Sequence, residues 1–402
     1  METIQIRVID IFSVSFFILI LTLLIFINIY YFIYVILRYD IHAIIRIEME
    51  GRMGVKTFQT ARENQKNKQV FIDALNCLHL NSSRFPNYEE ITIEERRNHT
   101  RMINEEIAKL YPSNNLTQHC WLGYCGPWIE DLWIDMQNNP QEDFGPFIPL
   151  FVYWVRVWIH DDTHQKYFTF FDKVRELLSP KYLYITVNGN DDGIEGRSLD
   201  RNIVPDNLLI ISPDGRGHIP TLLFLREYNP RDFNISTDYQ YDAMFLGSYS
   251  HRIRIQMVGT FRSQLGSKFY YRNNIKWQTE YEKAKFILCP RGYGRNSFRF
   301  AEVLQTGRVP VFFYNDVKWV PYDGFLNWSS FSIIANISDM NSVIDQIKNT
   351  SPEQIVEMRK TIHSLYEEYF TSNATMRHIK AFLTGGFLKS PLRCAKLTHS
   401  NC

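Results

Sequence analysis

Seven residues in the second half of the sequence combine charged side chains with a flexible backbone. They are Arg291, Gly292, Gly294, Arg295, Ser297, Arg299 and Glu302. Guanidinium groups match the bidentate geometry of a diphosphate, and a glycine loop lets backbone N–H groups approach phosphate closely. A single carboxylate suits the two hydroxyl groups of a ribose. These residue types therefore predict a site for a nucleotide diphosphate.

The surrounding pattern predicts which elements hold these residues. The apolar run Phe286–Cys289 predicts a buried strand, Ser297–Thr306 has helical spacing ended by Gly307, and Arg308–Phe313 predicts the next strand. This order is typical of one βαβ crossover in a parallel sheet. In such sheets, ligands bind beyond the carboxyl ends of the strands, so the position of the loop agrees with its chemistry.

The predicted helix has two different faces. Phe300 and Leu304 share the face that would pack on the sheet, whereas Arg295, Arg299 and Glu302 project from the opposite side. In a plainer interpretation, Arg299 and Glu302 form an exposed i,i+3 ion pair and the glycine loop only turns the chain. Spacing alone leaves both interpretations open.

Six short motifs resemble the exostosin family of glycosyltransferases in residue type, order and spacing. They are Cys289–Gly292, Ser297–Glu302, Gly307–Val311, Val320–Asp323, Asn327–Trp328 and Leu365–Phe370. The resemblance implies an α/β fold of the GT-B class, with two Rossmann-like domains facing a cleft. It also implies an inverting transfer from a nucleotide sugar, usually a UDP-sugar, to a glycan or glycoprotein in the Golgi. Matched residue by residue, Arg291 and Arg299, with the N–H groups of Gly292 and Gly294, would hold the donor diphosphate, and Glu302 the ribose.

The departing diphosphate is expected to need no metal ion. The sequence contains no Asp-x-Asp triplet, whereas glycosyltransferases of the other main fold resemble one another in holding a divalent ion with such a pair. Positive side chains must then neutralise the leaving group, and the arginines of the central stretch can do so. We therefore expect no cofactor, with the nucleotide sugar as a cosubstrate.

An inverting transfer also needs a group that removes the proton of the acceptor hydroxyl. Two polar loops, Asn188–Gly193 and Asp214–His218, follow predicted strands in the first half of the chain. At the carboxyl ends of strands these loops would face the cleft between the domains, so we predict Asp192 or His218 as the catalytic base. Because Asn-Gly and Asp-Gly pairs also form ordinary turns, the loops could equally be simple connections.

The segment Ile11–Leu37 carries no charged residue and is long enough to span a bilayer, so we predict a retained signal anchor. Two sequence signals disagree about its orientation. Arg38 and Arg46 follow the segment closely and favour a cytoplasmic C-terminal side. Asn-x-Ser/Thr sequons favour lumenal exposure instead, and they begin at Asn81, Asn98, Asn115, Asn234, Asn327, Asn336, Asn349 and Asn373. Large domains translocate largely regardless of nearby charge, so we favour a single-pass type II protein of the Golgi membrane.

The predicted organisation has six parts. They are a cytoplasmic tail (1–10), the transmembrane anchor (11–37), a stem (38–66), an N-terminal Rossmann-like acceptor domain (67–235), a C-terminal nucleotide-sugar-binding domain (236–385) and a tail (386–402). The 6 cysteines permit disulfides in a lumenal protein, and Cys120 with Cys125 could close a small loop, but spacing does not define the pairing. Cys289 ends a predicted buried strand and is expected to stay a free thiol.

Two other functional classes remain open. One is a catalytically silent family member that acts as a lumenal partner or chaperone of another transferase, and the chain could form a homo-oligomer or a hetero-oligomer with such a transferase. The other is a carbohydrate-binding surface protein that uses Trp121, Trp128 and Trp133, although such rings more often fill cores. A net charge of +1 and the lack of a basic run leave nucleic-acid binding without support.

Overall fold

The computed structural model describes eight stretches of the chain. They are residues 67–111, 126–139, 143–159, 165–190, 193–194, 204–224, 238–273 and 280–395. All of them fall in one compact unit, Lys66–Cys402. The predicted anchor Ile11–Leu37, the stem and the boundary between the two predicted domains lie outside the described residues. Within the described stretches, no helix combines the length and apolar character needed to cross a bilayer.

The first sheet has four parallel strands, and their order in the sheet follows the chain. They are β1 (Phe147–Leu150), β2 (Leu183–Val187), β3 (Leu208–Ser212) and β4 (Ile219–Pro220). Every residue of these strands is buried, as expected for a parallel sheet covered on both faces. The helices of this half are α1 (within residues 67–78), α2 (Ile93–Leu110), α3 (Ile129–Asp135), α4 (Trp154–Ile159) and α5 (Gln165–Leu177).

The second sheet has five parallel strands in the order β6-β5-β7-β8-β9. They are β5 (Tyr241–Leu246), β6 (Phe269–Arg272), β7 (Ala284–Pro290), β8 (Val309–Tyr314) and β9 (Ile333–Asn336). Its helices are α6 (Arg252–Leu265), α7 (Phe298–Gln305), α8 (Met340–Asn349), α9 (Pro352–Tyr369) and α10 (Ser372–Gly385). Short 3-10 helices cover Ser82–Arg84, Tyr88–Glu90, Met136–Asn138, Gly266–Lys268, Tyr281–Lys283, Trp328–Ser330, Ile337–Asp339 and Gly386–Leu388. The α/β prediction and the parallel βαβ unit β7-α7-β8 are therefore confirmed.

The strand order of the second sheet reverses direction between β5 and β7. From β5 the chain moves outward to β6, and after β7 it moves the opposite way to β8 and β9. Right-handed crossovers in opposite directions put their helices on opposite faces, and α6 packs with β6 and α8 whereas α7 packs with β8 and α9. Such a reversal leaves a crevice between the carboxyl ends of the two central strands, which is where open α/β sheets bind ligands.

The last described residues return to the first sheet. Phe382 of α10 packs against Phe147 of β1, with ring centroids 6.1 Å apart. A disulfide joins Cys77 in α1 to Cys394, across 317 residues of sequence. Residues 386–395, predicted as part of a tail, thus pack against the start of the described chain. Cys289 is free and buried, as predicted.

Candidate functional site

The glycine loop leaves β7 at its carboxyl end and leads into α7, so it borders the crevice between β5 and β7. The N–H of Gly292 bonds to the carbonyl of Asn296 at 2.7 Å, which closes the loop. Ser297 occupies the N-cap position of α7 but makes no side-chain capping bond. Ser297 is only 2% exposed, and its hydroxyl has no hydrogen-bond partner within the described part of the chain. A buried polar group without a partner costs about 1–3 kcal/mol, which a ligand could recover.

A buried arginine joins the two loops that border the crevice. Arg254 on α6 donates from Nη1 to the carbonyl of Ser248, which follows β5, at 3.1 Å. It also donates to the carbonyls of Pro290 (3.3 Å) and Arg291 (2.9 Å), at the end of β7. Arg254 therefore holds the two loops at one separation. Sequence reasoning missed this role, although Arg254 has the same helical spacing as the buried Phe261 and could have been recognised by it.

Arg299 and Glu302 form an ion pair behind the loop. Arg299 also donates from Nε to the carbonyl of Leu246 at 2.7 Å, which connects α7 to the end of β5. The pair is not exposed, because Glu302 is only 3% exposed. Burial opposes the charge of Arg299, but the neighbouring Tyr281 and Glu302 outweigh it and raise the pKa of this guanidinium. The alternative prediction of an exposed Arg299–Glu302 ion pair is therefore correct about the ion pair and wrong about its exposure.

Arg291 and Arg295 share one carboxylate that the sequence reasoning missed. Asp316, two residues after β8, accepts from Nη1 of Arg291 at 3.3 Å and from Nε of Arg295 at 2.8 Å. Burial opposes the ionisation of Asp316, but both arginines outweigh it and lower the pKa of the carboxyl. Burial lowers the pKa of Arg291, with Asp316 acting against it. The signal available in the sequence was the polar pair Asn315 and Asp316 directly after a predicted strand.

The loop after β5 adds a helix N-terminus to the same crevice. His251 is the N-cap of α6, and its Nδ1 accepts the N–H of Ile253 at 3.2 Å. Burial, followed by Arg291 and Arg254, lowers the pKa of His251, so its imidazole is neutral at neutral pH. The crevice is therefore bordered by guanidinium groups and by the positive end of a helix, an electrostatic setting that favours an anion.

Of the two predicted bases, Asp192 lies outside the described residues. His218 lies between β3 and β4, where its Nδ1 accepts the N–H of Ile210 at 3.0 Å. Burial lowers the pKa of His218 to about 4. The imidazole is therefore neutral at pH 7 and carries its proton on Nε2. The catalytic role of both residues stays a prediction.

Metal binding has no assembled ligand set in the stretches that the structure describes. There, no group of three or more His, Cys, Asp or Glu side chains is arranged to hold an ion. The carboxylates that border the crevice, Glu302 and Asp316, are paired with arginines. The arrangement suits a ligand that is itself negatively charged.

Residues 235–350 match the Exostosin GT47 domain model. This stretch contains the seven candidate residues from Arg291 to Glu302 that the sequence analysis selected. Exostosin-1 of Drosophila melanogaster is 34% identical over 97 residues, which are 24% of this chain and 12% of that protein. The Exostosin-1 homolog of Caenorhabditis elegans is 33% identical over 88 residues, 22% of either chain. The matched stretch is thus less than a quarter of the length of these relatives.

Among solved structures, TarM of S. aureus is similar over 50% of this chain and 54% of that chain, with a TM-score of 0.31 and 9% identity. A similarity this weak supports no conclusion about the fold or function of this chain. The second sheet and its glycine loop lie within the residues that match the Exostosin GT47 domain, so this part of the chain is similar to the exostosin glycosyltransferases.

Proposed function

We propose that this chain is an inverting glycosyltransferase that moves a sugar from a nucleotide sugar, of the UDP-sugar class, to a glycan or glycoprotein acceptor. The observation that carries the proposal is the crevice between β5 and β7, bordered by Arg291 and Arg299, with the buried, unpartnered hydroxyl of Ser297 at the start of α7. In this scheme Arg291 and Arg299, with N–H groups of the glycine loop, hold the donor diphosphate. Glu302 accepts the hydroxyl groups of the ribose.

The ion pairs of the crevice prepare it for charge that develops during transfer. As the sugar leaves, negative charge grows on the diphosphate, and positive groups already in place stabilise it without reorganisation. Arg299 is held by Leu246 and Glu302, and Arg291 by Asp316 and by its own loop. Because both guanidinium groups are partly buried, their attraction to phosphate is stronger than it would be in water.

The acceptor hydroxyl loses its proton to a group of the first half, and we place Asp192 ahead of His218. The Nδ1 lone pair of His218 already accepts the N–H of Ile210, so the imidazole would need a change of tautomer to act as a base. We expect Asp192→Asn to lower kcat about 100-fold or more, and His218→Gln to leave most of the activity. An equal loss in both variants would contradict this order.

The cellular setting is part of the same proposal. The apolar segment Ile11–Leu37 would anchor the chain in the Golgi membrane, and the sequons favour a lumenal catalytic region. The cleft of a GT-B fold would lie between the two parallel sheets. Trypsin digestion of sealed Golgi vesicles tests the orientation, because a lumenal domain is protected until detergent is added.

Calorimetric titration of the purified full chain with UDP, and then with GDP, tests the donor site. We expect UDP to bind, and Glu302→Gln to weaken binding at least about tenfold, because a charge-assisted hydrogen bond is worth about 1.5–3 kcal/mol. The matched control is Glu282→Gln. Glu282 also pairs with an arginine, Arg308 at 2.6 Å, but at the amino ends of the strands.

The outcome also separates the rival functions. Equal UDP affinity in Glu302→Gln and in the wild type would refute the ribose role. A folded protein that binds neither nucleotide would favour the catalytically silent partner. The carbohydrate-binding alternative loses one of its three rings, because Trp133 is fully buried and donates to the carbonyl of Leu150 at 2.9 Å.

A further inference from the structure

One residue of the glycine loop makes its contacts across the molecule. The backbone N–H of Arg295 donates to the carbonyl of Asp214 at 2.6 Å, and Nη1 donates to the carbonyl of Gly215 at 2.7 Å. Its Nε donates to Asp316 at 2.8 Å. Asp214 and Gly215 follow β3 of the first sheet, whereas Asp316 follows β8 of the second. Arg295 therefore connects the carboxyl edges of the two sheets.

Glycine is required at the other side of this contact. Gly215 has a φ of +90°, which side-chain-bearing residues rarely adopt, and a Cβ placed there would lie 2.1 Å from Cβ of Arg295. A real Cβ cannot approach another carbon so closely. Even an alanine at this position would force the loop of the first sheet away from Arg295.

The loop that receives Arg295 is internally rigid and continues toward the predicted base. The carboxylate of Asp214 is fully buried and accepts from the hydroxyl of Ser212 at 2.5 Å and from the N–H of Arg216 at 2.6 Å. It also accepts from Nδ2 of Asn188 at 3.2 Å. Asn188 begins the loop that leads to Asp192. A continuous set of hydrogen bonds thus runs from the donor loop to the start of the predicted base loop.

We propose that Arg295 and Gly215 form a positioning link that sets the donor loop at a fixed distance from the loops of the first sheet. The catalytic purpose of this link rests on the proposed transferase function, whereas the link itself rests only on the contacts of Arg295 with Asp214 and Gly215. A transfer needs the acceptor oxygen within about 3–3.5 Å of the reacting carbon, so a shift of 1 Å between the two loops can cost about 100-fold in rate. Arg295 in this role orients the two loops and does not touch the reacting atoms.

Amide hydrogen exchange of the full chain tests the link without any ligand. Gly215→Ala should speed exchange of the Arg295 amide at least about fivefold, because that N–H donates to Asp214. Arg295→Ala should speed exchange of the amides from Asp214 to Gly217. The control is Gly324→Ala, which has a similar φ of +78° but open space around the added Cβ. It should leave both segments unchanged.

Repeating the exchange measurement with UDP separates positioning from simple stability. In the wild type, UDP should slow exchange in the glycine loop and also in the loop after β3. In Gly215→Ala, UDP should bind within about twofold of the wild type and protect only the glycine loop. Arg295→Lys, which keeps a cation beside Asp316, should retain part of the response. An intact response of the loop after β3 in Gly215→Ala would overturn the inference.

The proposed function and the link fail in different ways. If UDP does not bind the wild type, the donor site is refuted, whereas the ligand-free exchange of the Arg295 amide still supports or overturns the link. If Gly215→Ala and Arg295→Ala are combined, the loss of protection should be no greater than the larger single loss, because both remove one contact. Additive losses would mean that the two residues act independently, and would overturn the link.

Discussion

The carboxyl edges of the two sheets are built from the same kind of parallel strands but are completed differently. In the first sheet a carboxyl group of the protein fills the edge: Glu130 accepts the N–H of Val155, after β1, at 3.1 Å and the N–H of Gly189, after β2, at 2.7 Å. In the second sheet the buried hydroxyl of Ser297 has no partner among the described residues, and Arg254, Arg291 and Arg299 donate to backbone carbonyls at this edge. The first edge has an acceptor of its own, whereas the second edge presents arginine donors. Each edge also has one buried hydroxyl without a described partner, that of Thr221 after β4 and that of Ser297.

This difference assigns roles to the two halves of the proposed enzyme. Two backbone N–H groups, one after β1 and one after β2, already have an acceptor in the carboxyl group of Glu130. Under the proposed function, the diphosphate would bind at the edge of the second sheet, and the acceptor hydroxyl and its base would lie at the first edge.

The largest expected effect is the loss of stability when the carboxyl group of Glu130 is removed from the edge of the first sheet. Glu130 is 2% exposed, so Glu130→Ala leaves two buried N–H groups without an acceptor. Each such group costs about 1–3 kcal/mol, and we expect a loss of about 4 kcal/mol in the free energy of unfolding. Urea unfolding measures the change. The control is Glu357→Gln, which removes an exposed ion pair with Lys360 and should change stability by less than about 0.5 kcal/mol. Equal losses in both variants would show that Glu130 does not complete this edge.

A smaller effect should appear in the pH dependence of stability. Burial raises the pKa of Glu130 to about 8, against the hydrogen bonds from Gly189 and Val155. The native state then binds a proton that the unfolded state releases near pH 4.5, so stability falls as pH rises through this window. Between pH 5 and 7.5 we expect the wild type to lose about 3 kcal/mol more than Glu130→Gln, which cannot titrate. Parallel stability curves would mean that Glu130 is ionised throughout.

Much of the fold could be predicted because its elements have strong local signals. In the sequence, apolar residues recur every three or four positions from Ile355 to Leu365, which predicts a helix that begins at Pro352 with Ser351 as its N-cap. The hydroxyl of Ser351 accepts the N–H of Gln354, as this prediction requires. The strands of the central βαβ unit follow from short β-branched runs bounded by Pro290 and Gly307. The disulfide between Cys77 and Cys394 could not be predicted, because 317 residues separate its partners and only the folded chain brings them together.

The site was predictable in its residue types and less so in their surroundings. Motif and spacing select Arg299 and Glu302 as candidates, and their donor role stays a prediction. Helical periodicity cannot show that α7 is covered on its outer side as well. Gln305 of that helix donates to the carbonyl of Phe370, just beyond α9, which accounts for a helix buried almost all round. The role of Arg295 was equally hidden, because its partner Gly215 lies in the other half of the chain.

The smallest loss of stability is expected from a comparison of two buried serines, Ser297, whose hydroxyl would bind a ligand, and Ser390, whose hydroxyl stabilises the fold. Ser297 and Ser390 are both buried, at 2% and 3% exposure. The hydroxyl of Ser390 donates to the carbonyl of His378 at 2.8 Å and accepts the N–H of Leu392, whereas that of Ser297 bonds to no described residue. Ser390→Ala should therefore cost about 1–2 kcal/mol, whereas Ser297→Ala should keep or raise the stability, because it removes a buried hydroxyl that has no partner among the described residues.

Nucleotide affinity should reverse that order. Ser297→Ala removes one hydrogen bond to the bound diphosphate and should weaken UDP binding about fivefold, since a net bond is worth about 1 kcal/mol. Ser390→Ala should bind UDP as the wild type does, because the hydroxyl of Ser390 bonds to His378 and Leu392, outside the glycine loop and α7. Thermal unfolding and calorimetric titration of the same two preparations give both numbers. If Ser297→Ala lost stability without losing affinity, the hydroxyl would belong to the fold, and the second edge would be as self-contained as the first.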